Sequence, residues 1–295
     1  MANDWETTFQ NWAQPPSTTE QTRCDNVLGV IRNAVSGSSA LDNRSTHVFA
    51  QGSYCNRTNI RADSDVDVCV LCRDTFFFDL PDGMTRDDFH ITPATYSYAE
   101  YKNDLEDALV SYLGRPAITR GNKAFDVHEN TYRVDADVVA CFEYRRYRNN
   151  GSYLEGTSFR TDKGITIINW PQQNYDNGVA KNEATSRRFK AVVRVFKNLG
   201  NEMAENGYSE AKVMPSYLIE CLVWNVPNEG FAHYSITDDV RYAIIHLYNN
   251  TQDFEKCREW GEINELKYLF RTSQPWKREQ ANDFLLAAWN YIGFK

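Results

Sequence analysis

The sequence has few basic clusters and carries an excess of acid. Its 295 residues give a net charge of -8, and the densest basic stretch, Arg145–Arg148, is only four residues long. A protein that binds duplex DNA or tRNA gains affinity by releasing counterions from several phosphates, which usually requires a basic face. The composition therefore argues against a polymeric nucleic acid as substrate or partner.

Long hydrophobic runs and paired cysteine motifs are also missing. No apolar run approaches the length needed to cross a membrane, and the first six residues show neither a basic nor an apolar signal region. The seven cysteines are an odd number scattered along the chain, and no Cys/His cluster completes a zinc site. Cys69 and Cys72 are three residues apart on a predicted strand, so their side chains face opposite sides of it and form a poor metal site. We expect reduced thiols, no zinc module, no membrane association and a cytoplasmic location.

The order of predicted elements separates the chain into two parts. With 42% hydrophobic and 14% aromatic residues, the chain can bury a sizeable core. The first part alternates predicted strands (47–51, 65–72, 117–127, 132–147) with helices (20–35, 98–113) and an irregular stretch at 74–95. After Trp170-Pro171 only helices are predicted, near 183–199, 212–225, 236–249, 262–271 and 276–292. The pattern predicts an α+β lobe with an N-terminal helix at 1–175 and an all-helical lobe at 176–295.

Two aspartates begin one of the predicted strands. Asp65 and Asp67 directly precede the apolar run Val68–Leu71, which is typical of a buried strand. Alternation places both carboxylates on one face, where they repel each other and are costly to desolvate. A divalent cation offsets that cost, and Mg²⁺ is usually held by one or two carboxylates together with substrate phosphates.

A small-residue turn lies upstream of this pair. A predicted strand at 47–50 leads into Gln51, Gly52 and Ser53. There, backbone N–H groups and a hydroxyl can approach a phosphate without a bulky side chain in the way.

Together these motifs resemble nucleotidyltransferases of the DNA polymerase β type, whose signature is Gly-Ser, a spacer, and Asp-x-Asp on a strand. The spacer Thr58-x-Ile60-Arg61 ahead of Ser64-Asp65 is similar to the bacterial cGAS/DncV-like nucleotidyltransferases (CD-NTases), in particular the compact CdnE-like group. The resemblance implies a polymerase β-like core with a mixed β-sheet, followed by a helical lobe, with the active site in the cleft. It also implies a cytoplasmic, monomeric enzyme that joins and cyclises two NTPs (ATP and UTP, with GTP or CTP as alternatives) into a cyclic dinucleotide for anti-phage (CBASS) signalling.

The family places a third metal ligand on a later strand, and the segment 132–142 offers two candidates. Asp135 and Asp137 share one face of this predicted strand, so alternation does not choose between them. The resemblance selects Asp137, which directly precedes the apolar run 138–140, and leaves Asp135 to pair with Arg133 or Arg145. By the same resemblance, Asp65, Asp67 and Asp137 hold two Mg²⁺ ions, with Mn²⁺ as the alternative metal.

The helical lobe begins with a basic stripe. Lys190, Arg194 and Lys197 fall on one face of a predicted helix, and a solvated surface is the alternative interpretation. Nineteen residues after Lys197, Ser216 and Tyr217 open another helix behind Pro215. The resemblance implies that Lys197 and Ser216 hold the triphosphate and that Tyr217 stacks on a base, with Lys190 as the alternative lysine.

The nucleotide base has one candidate contact. Asn169 ends a strand-like segment, 164–169, and its amide offers a donor and an acceptor together, which suits the edge of uracil or of a purine. The alternative is that Asn169 caps the turn before Trp170. We favour a product that contains uridine.

Two other functions share these motifs. One is a polymerase β-type nucleotidyltransferase that modifies a small molecule, a tRNA or a protein. The other is a catalytically inactive nucleotide-binding regulator. Thr58-x-Ile60-Arg61 and the long helical lobe argue against the first, and the presence of all three carboxylates argues against the second.

Overall fold

The computed structural model describes residues 4–60 and 65–295. Its strands are β1 (Thr46–Ala50), β2 (Val66–Asp79), β3 (Ile118–Arg120), β4 (Phe125–Val127), β5 (Ala136–Tyr147), β6 (Tyr153–Arg160) and β7 (Thr166–Asn169). Its helices are α1 (Trp5–Trp12), α2 (Thr18–Ser36), α3 (Gly52–Asn56), α4 (Tyr98–Leu113), α5 (Pro171–Ala184), α6 (Arg188–Glu205), α7 (Ser209–Lys212), α8 (Ser216–Trp224), α9 (Ile236–Thr251), α10 (Phe254–Cys257) and α11 (Arg278–Ile292).

The chain divides into two compact units. The sheet unit comprises Ser17–Cys55 and Ser64–Gln172, and the helical unit comprises Met1–Pro16, Asn56–Asp63 and Gln173–Lys295. The change from one to the other at residue 172 lies near the expected boundary at 175. Two earlier segments nevertheless belong to the helical unit, because they pack among its helices.

The sheet unit is built on a mixed sheet in the order β1-β2-β5-β4-β3, with β6 pairing with β5 and β7 with β6. The central pair β2 and β5 is parallel, and the other pairings are antiparallel. Parallel strands covered on both faces read as continuous apolar runs rather than alternating ones. Residues 68–72 and 138–142 are such runs, and both are buried.

Helix α4 holds the central strands β2 and β5 in place. Ser97 and Glu100 form a capping box at its start, which satisfies two N–H groups that would otherwise lack partners. Further along, the hydroxyl of Tyr98 donates to the carbonyl of Ala140 at 2.9 Å, and that of Tyr101 donates to the carbonyl of Val70. Both tyrosines are buried, so β2 and β5 are held against one helix near the start of each strand.

The helical unit is organised around α6 and α8. Val192, Val195 and Phe196 of α6, together with Leu218 and Leu222 of α8, are fully buried. Helices α1, α9 and α11 complete the same core. No helix in the described part of the chain combines the length and the apolar character needed to cross a lipid bilayer.

Several boundaries differ from the sequence-based expectation. Strand β2 continues to Asp79 through residues 76–78, which were expected to be irregular, because after a register shift they pair with 143–145 of β5. The expected strand 117–127 is the hairpin of β3 and β4. The expected helix at 262–271 was wrong: this segment forms turns and a bridge between Gly261 and Tyr268. Helix α1 was not predicted.

Candidate active site

Three carboxylates lie side by side across neighbouring strands of the sheet unit. Asp67 at the start of β2 is the register partner of Asp137 on β5, and Asp137 is in turn the partner of Asp126 on β4. Register partners project from the same face of a sheet, and adjacent strands lie about 4.8 Å apart. Asp65 immediately precedes β2 and is exposed. The predicted pair and the predicted third aspartate are therefore brought together.

The electrostatics of Asp137 reflect this crowding. Burial raises the pKa of its carboxyl, and the charge of Asp126, a hydrogen bond with Asp126, and the charges of Asp65 and Asp135 raise that pKa further. At a separation of about 5 Å and an effective dielectric constant of 20, two such charges repel by about 3 kcal/mol. Burial and neighbouring carboxylates thus disfavour the ionised form of Asp137, which is the environment that a divalent cation relieves.

The donor set fits Mg²⁺ in kind, because carboxylate oxygens are its preferred protein ligands and substrate phosphates complete its shell. Within residues 4–60 and 65–295, however, no three His, Cys, Asp or Glu side chains form a ready-made metal site. A magnesium site at Asp65, Asp67 and Asp137 therefore requires the substrate phosphates or a shift of these side chains to be complete.

The predicted phosphate turn lies directly beside Asp67. The N–H of Gln51 donates to the carbonyl of Asp67 at 2.8 Å, which fastens the turn to β2. Gly52 has a φ of +65°, and a Cβ at this position would overlap the carboxylate of Asp67. Ser53 follows in the short helix α3 and is partly exposed. Glycine is thus required at residue 52 both for its backbone conformation and for the close approach of Asp67.

Asp135, the other candidate for the third ligand, has a different environment. Asp135 precedes β5, and its Oδ1 accepts the backbone N–H of Glu129 at 2.6 Å. Among the described residues, Asp135 forms no ion pair with Arg133 or Arg145, so the expected pairing was wrong. Arg145 instead pairs with Glu143 at 2.8 Å. Asp135 therefore closes a turn ahead of β5.

The base-contact candidate ends β7. Asn169 is half-buried and pairs through its backbone with Thr157 of β6. Gly156 beside it has no room for a Cβ, which would lie 2.7 Å from the carbonyl oxygen of Asn169. No hydrogen bond joins the Asn169 side chain to another residue in the described part of the chain, so the expected alternative of a turn cap is not seen there.

The basic stripe of α6 is not a solvated surface. The side chains of Lys190, Arg194 and Lys197 are 9%, 7% and 3% exposed. Lys197 forms an ion pair with Glu220 of α8, and both side chains are buried. Lys190 lies 5.9 Å from the ring of Tyr175. Burial lowers the pKa of Arg194 to about 10. The stripe therefore lies in the interior of the helical unit.

The other half of the predicted triphosphate site starts α8. Pro215 precedes the helix as expected, and Ser216 in its first turn is exposed. The hydroxyl of Tyr217 lies 3.1 Å from both Asn174 Oδ1 and Glu262 Oε2. Burial raises the pKa of Tyr217 well above its usual range. These partners hold the ring of Tyr217 in one orientation.

Comparisons with known proteins identify the family of the chain. Residues 176–293 match the family model of the cGAS/DncV-like nucleotidyltransferase C-terminal helical domain. The chain is 44% identical to the cyclic dipyrimidine nucleotide synthase CdnE of Cecembia lonarensis over 100% of both chains, and 46% identical to the synthase of the same name from Legionella pneumophila over 99% of both. The chain belongs to the CdnE-like group of the CD-NTases.

A solved structure extends the comparison to the whole fold. The CdnE c-UMP-AMP synthase of Rhodothermus marinus, solved with Apcpp and Upnpp, superposes with a TM-score of 0.84 at 31% identity, covering 98% of this chain and 97% of that one. The expected α+β nucleotidyltransferase fold is thereby confirmed. The motif residues Arg61 and Ser64 lie outside the described residues.

Sequence reasoning missed two acidic residues. Asp126 was placed in a strand, but its position beside Asp137 depends on strand pairing, which no local pattern reveals. Glu220 did leave a signal, because it is a lone charge within the apolar run Leu218–Trp224. A charge in such a run must find a buried partner.

Changing Gly52 to Ala should abolish nucleotide turnover, because the new Cβ displaces the carboxylate of Asp67. Gly83→Ala is the matched control: Gly83 has a φ of +78° but no atom within 4 Å of the added Cβ. Both variants should lose about 1–2 kcal/mol of folding free energy from the left-handed conformation. Thermal unfolding and pyrophosphate release measure the two effects. Full turnover by Gly52→Ala would contradict this account.

Substitution of Asp137 and of Asp135 should have different effects on turnover in the same assay. Asp137→Asn should remove turnover, because it takes one charge from the row of carboxylates. Asp135→Asn should keep most of it, because the amide oxygen can still accept the N–H of Glu129. Loss of turnover in Asp135→Asn alone would show that the resemblance selected the wrong aspartate.

Proposed function

We propose that this chain is a Mg²⁺-dependent cyclic dinucleotide synthase that joins and cyclises two NTPs, at least one of them UTP. The observation that carries the proposal is the alignment of Asp67 with Asp137 next to the phosphate turn at Gly52. The two relatives named above are dipyrimidine synthases and match the chain over its whole length. Their agreement supports a pyrimidine product over a purely purine one.

The residues of the sheet unit would divide the chemistry between them. Asp65, Asp67 and Asp137 would hold two metal ions, and Mn²⁺ would serve in place of Mg²⁺. The chemistry that such ions supply is a lowered pKa of the attacking ribose hydroxyl and neutralised charge on the leaving pyrophosphate. Gln51, Gly52 and Ser53 would position the phosphates through their N–H groups and a hydroxyl, since positioning and electrostatics carry most of a phosphoryl-transfer barrier.

The half-buried amide of Asn169 is suited to the edge of a uracil, because it can donate and accept at once. The product would act as a second messenger in anti-phage (CBASS) signalling. Free NTPs, with no polymeric nucleic acid, would suffice for turnover, and we propose that the enzyme acts as a monomer.

Purified protein given each single NTP and each pair with Mg²⁺ should release pyrophosphate most rapidly when UTP is present. Mass spectrometry should identify a cyclic dinucleotide that contains uridine. The Asp65→Ala, Asp67→Ala double variant should release none while unfolding at an equal or higher temperature, because repulsion is removed. Absence of pyrophosphate release with every NTP would instead support an inactive nucleotide-binding regulator.

Within the helical unit, we propose that Lys197 and Ser216 bind the triphosphate. Ser216 is exposed in the first turn of α8, where hydroxyl and N–H donors suit a phosphate. The ammonium of Lys197 has three N–H donors, and one of them serves Glu220. The remaining donors are what a phosphate would use, and Lys190 is the alternative lysine.

Lys197→Met combined with Glu220→Gln tests this role without leaving a buried charge unpaired. If Lys197 contacts phosphate, the double variant should bind non-hydrolysable NTP about 10- to 100-fold more weakly, since a charge-assisted hydrogen bond is worth about 1.5–3 kcal/mol. Binding of the matching NMP should change little. Calorimetric titration measures both.

Two comparisons complete the test. Tyr217→Ala should weaken NTP and NMP by similar factors, because it removes a stacking surface rather than a phosphate contact. Wild-type NTP affinity in the Lys197/Glu220 double variant would show that Lys197 serves Glu220 alone and would leave Lys190 as the candidate.

A further inference from the structure

A buried segment follows the phosphate turn along the chain. Residues 56–60 belong to the helical unit, although Ser17–Cys55 before them and Ser64–Gln172 after them belong to the sheet unit. Asn56, Thr58, Asn59 and Ile60 are 7%, 2%, 5% and 6% exposed. A loop segment normally runs over the surface, because its backbone polar groups need partners. This one is packed into the interior of the helical unit instead.

Thr58 is held through its side chain. Its hydroxyl donates to Glu220 Oε1 at 2.6 Å, and the same oxygen receives the ammonium of Lys197. Thr58, Glu220 and Lys197 are all 3% exposed or less. A buried carboxylate needs both a countercharge and hydrogen bonds, and here Lys197 supplies the first while Thr58 contributes to the second.

The neighbouring residue is held through its backbone. Arg57 has a φ of 55°, an uncommon conformation for a residue with a side chain. Its carbonyl accepts a hydrogen bond from Arg194 Nη1 at 2.6 Å, and the same guanidinium donates to the carbonyl of Ala13 at 2.8 and 2.5 Å. Two consecutive residues are therefore fixed by charged side chains of the helical unit's core.

The position of this anchor along the chain gives it a consequence. Ser53 lies five residues before Thr58. A fixed point at one end of a short connection restricts where the other end can lie, because each residue spans at most about 3.6 Å. The placement of the phosphate turn, which is fastened to Asp67 through the N–H of Gln51, thus depends partly on Thr58.

We propose that Glu220 is a positioning residue for nucleotidyl transfer, which acts by holding the hydroxyl of Thr58 and so the chain that follows the phosphate turn at Ser53. The inference rests on the proposed function, because it concerns the same site. Glu220 touches neither substrate nor metal in this role. Misplacement of a reacting group by about 1 Å can cost about 100-fold in rate, so a distant hydrogen bond can have a large effect on kcat.

Thr58→Val is the informative variant, since it removes the hydroxyl and keeps the shape. We expect kcat to fall about 10- to 100-fold while KM for the NTPs stays within about threefold. Thr58→Ser, which restores the hydroxyl, should recover most of kcat. Thr58→Ala replaces the valine variant if that one does not fold.

Thr251→Val is the matched control. Thr251 is also fully buried in the helical unit, and its hydroxyl donates to the carbonyl of Leu247 at 2.8 Å and accepts from Asn282 at 3.0 Å. Thr251→Val should lower the unfolding temperature as Thr58→Val does, but it should leave kcat unchanged. An equal loss of kcat in both variants would reduce the effect to general destabilisation and overturn the proposal.

Hydrogen exchange supplies a readout that does not depend on turnover. The amides of 58–60 should exchange faster in Thr58→Val than in the wild type and should be unaffected in Thr251→Val. Wild-type kcat or unchanged exchange in Thr58→Val would overturn the anchoring role. A wild-type protein that turns over no NTP would refute the proposed function, and the exchange measurement would still decide whether the hydroxyl anchors the segment.

Discussion

The alignment of acidic side chains across β2, β5 and β4 is the constraint on which the rest of the sheet unit depends. Asp67, Asp137 and Asp126 are register partners, so a one-residue slip of β2 against β5 would move one of them to the opposite face. Burial and the charges of Asp126, Asp65 and Asp135 raise the pKa of Asp137, so the crowding opposes this register. The buried apolar runs behind the carboxylates and the two tyrosines of α4 hold the strands in this register against that repulsion. The sheet thus maintains an arrangement in which the ionised form of Asp137 is unfavourable.

The helical unit also places charge in its interior. Lys197 with Glu220, and Arg194 with two backbone carbonyls, are buried among the apolar side chains of α6 and α8. Apolar residues of similar size would often be no less stabilising at such positions. Buried charges that are tied to the segment 56–60 are better explained by what they position. In this interpretation, Thr58 of the sequence motif has a specific structural partner, Glu220.

The fold alone does not set the choice of base. The c-UMP-AMP synthase of Rhodothermus marinus shares the fold of this chain, yet its name differs from those of the two dipyrimidine synthases. A common fold therefore does not fix the product, since specificity comes from the polar groups that line the base pockets. An amide such as that of Asn169 can accept either of two donor–acceptor patterns, and its neighbours decide which.

The sequence by itself determined the family, and it predicted a two-part organisation and a set of motif residues. Gly52, Asp65 and Asp67 could be selected as candidates because a short motif fixes local backbone and side-chain alternation, and α4 matched because capping and periodicity are also local. Only the tertiary structure decided that Asp137 faces Asp67 while Asp135 closes a turn, since alternation treats the two alike. The buried partners of Lys197 and Thr58, and the place of Asp126 beside Asp137, likewise come from residues far apart in the chain. No local pattern encodes such contacts, because they arise from the packing of helices and the pairing of strands.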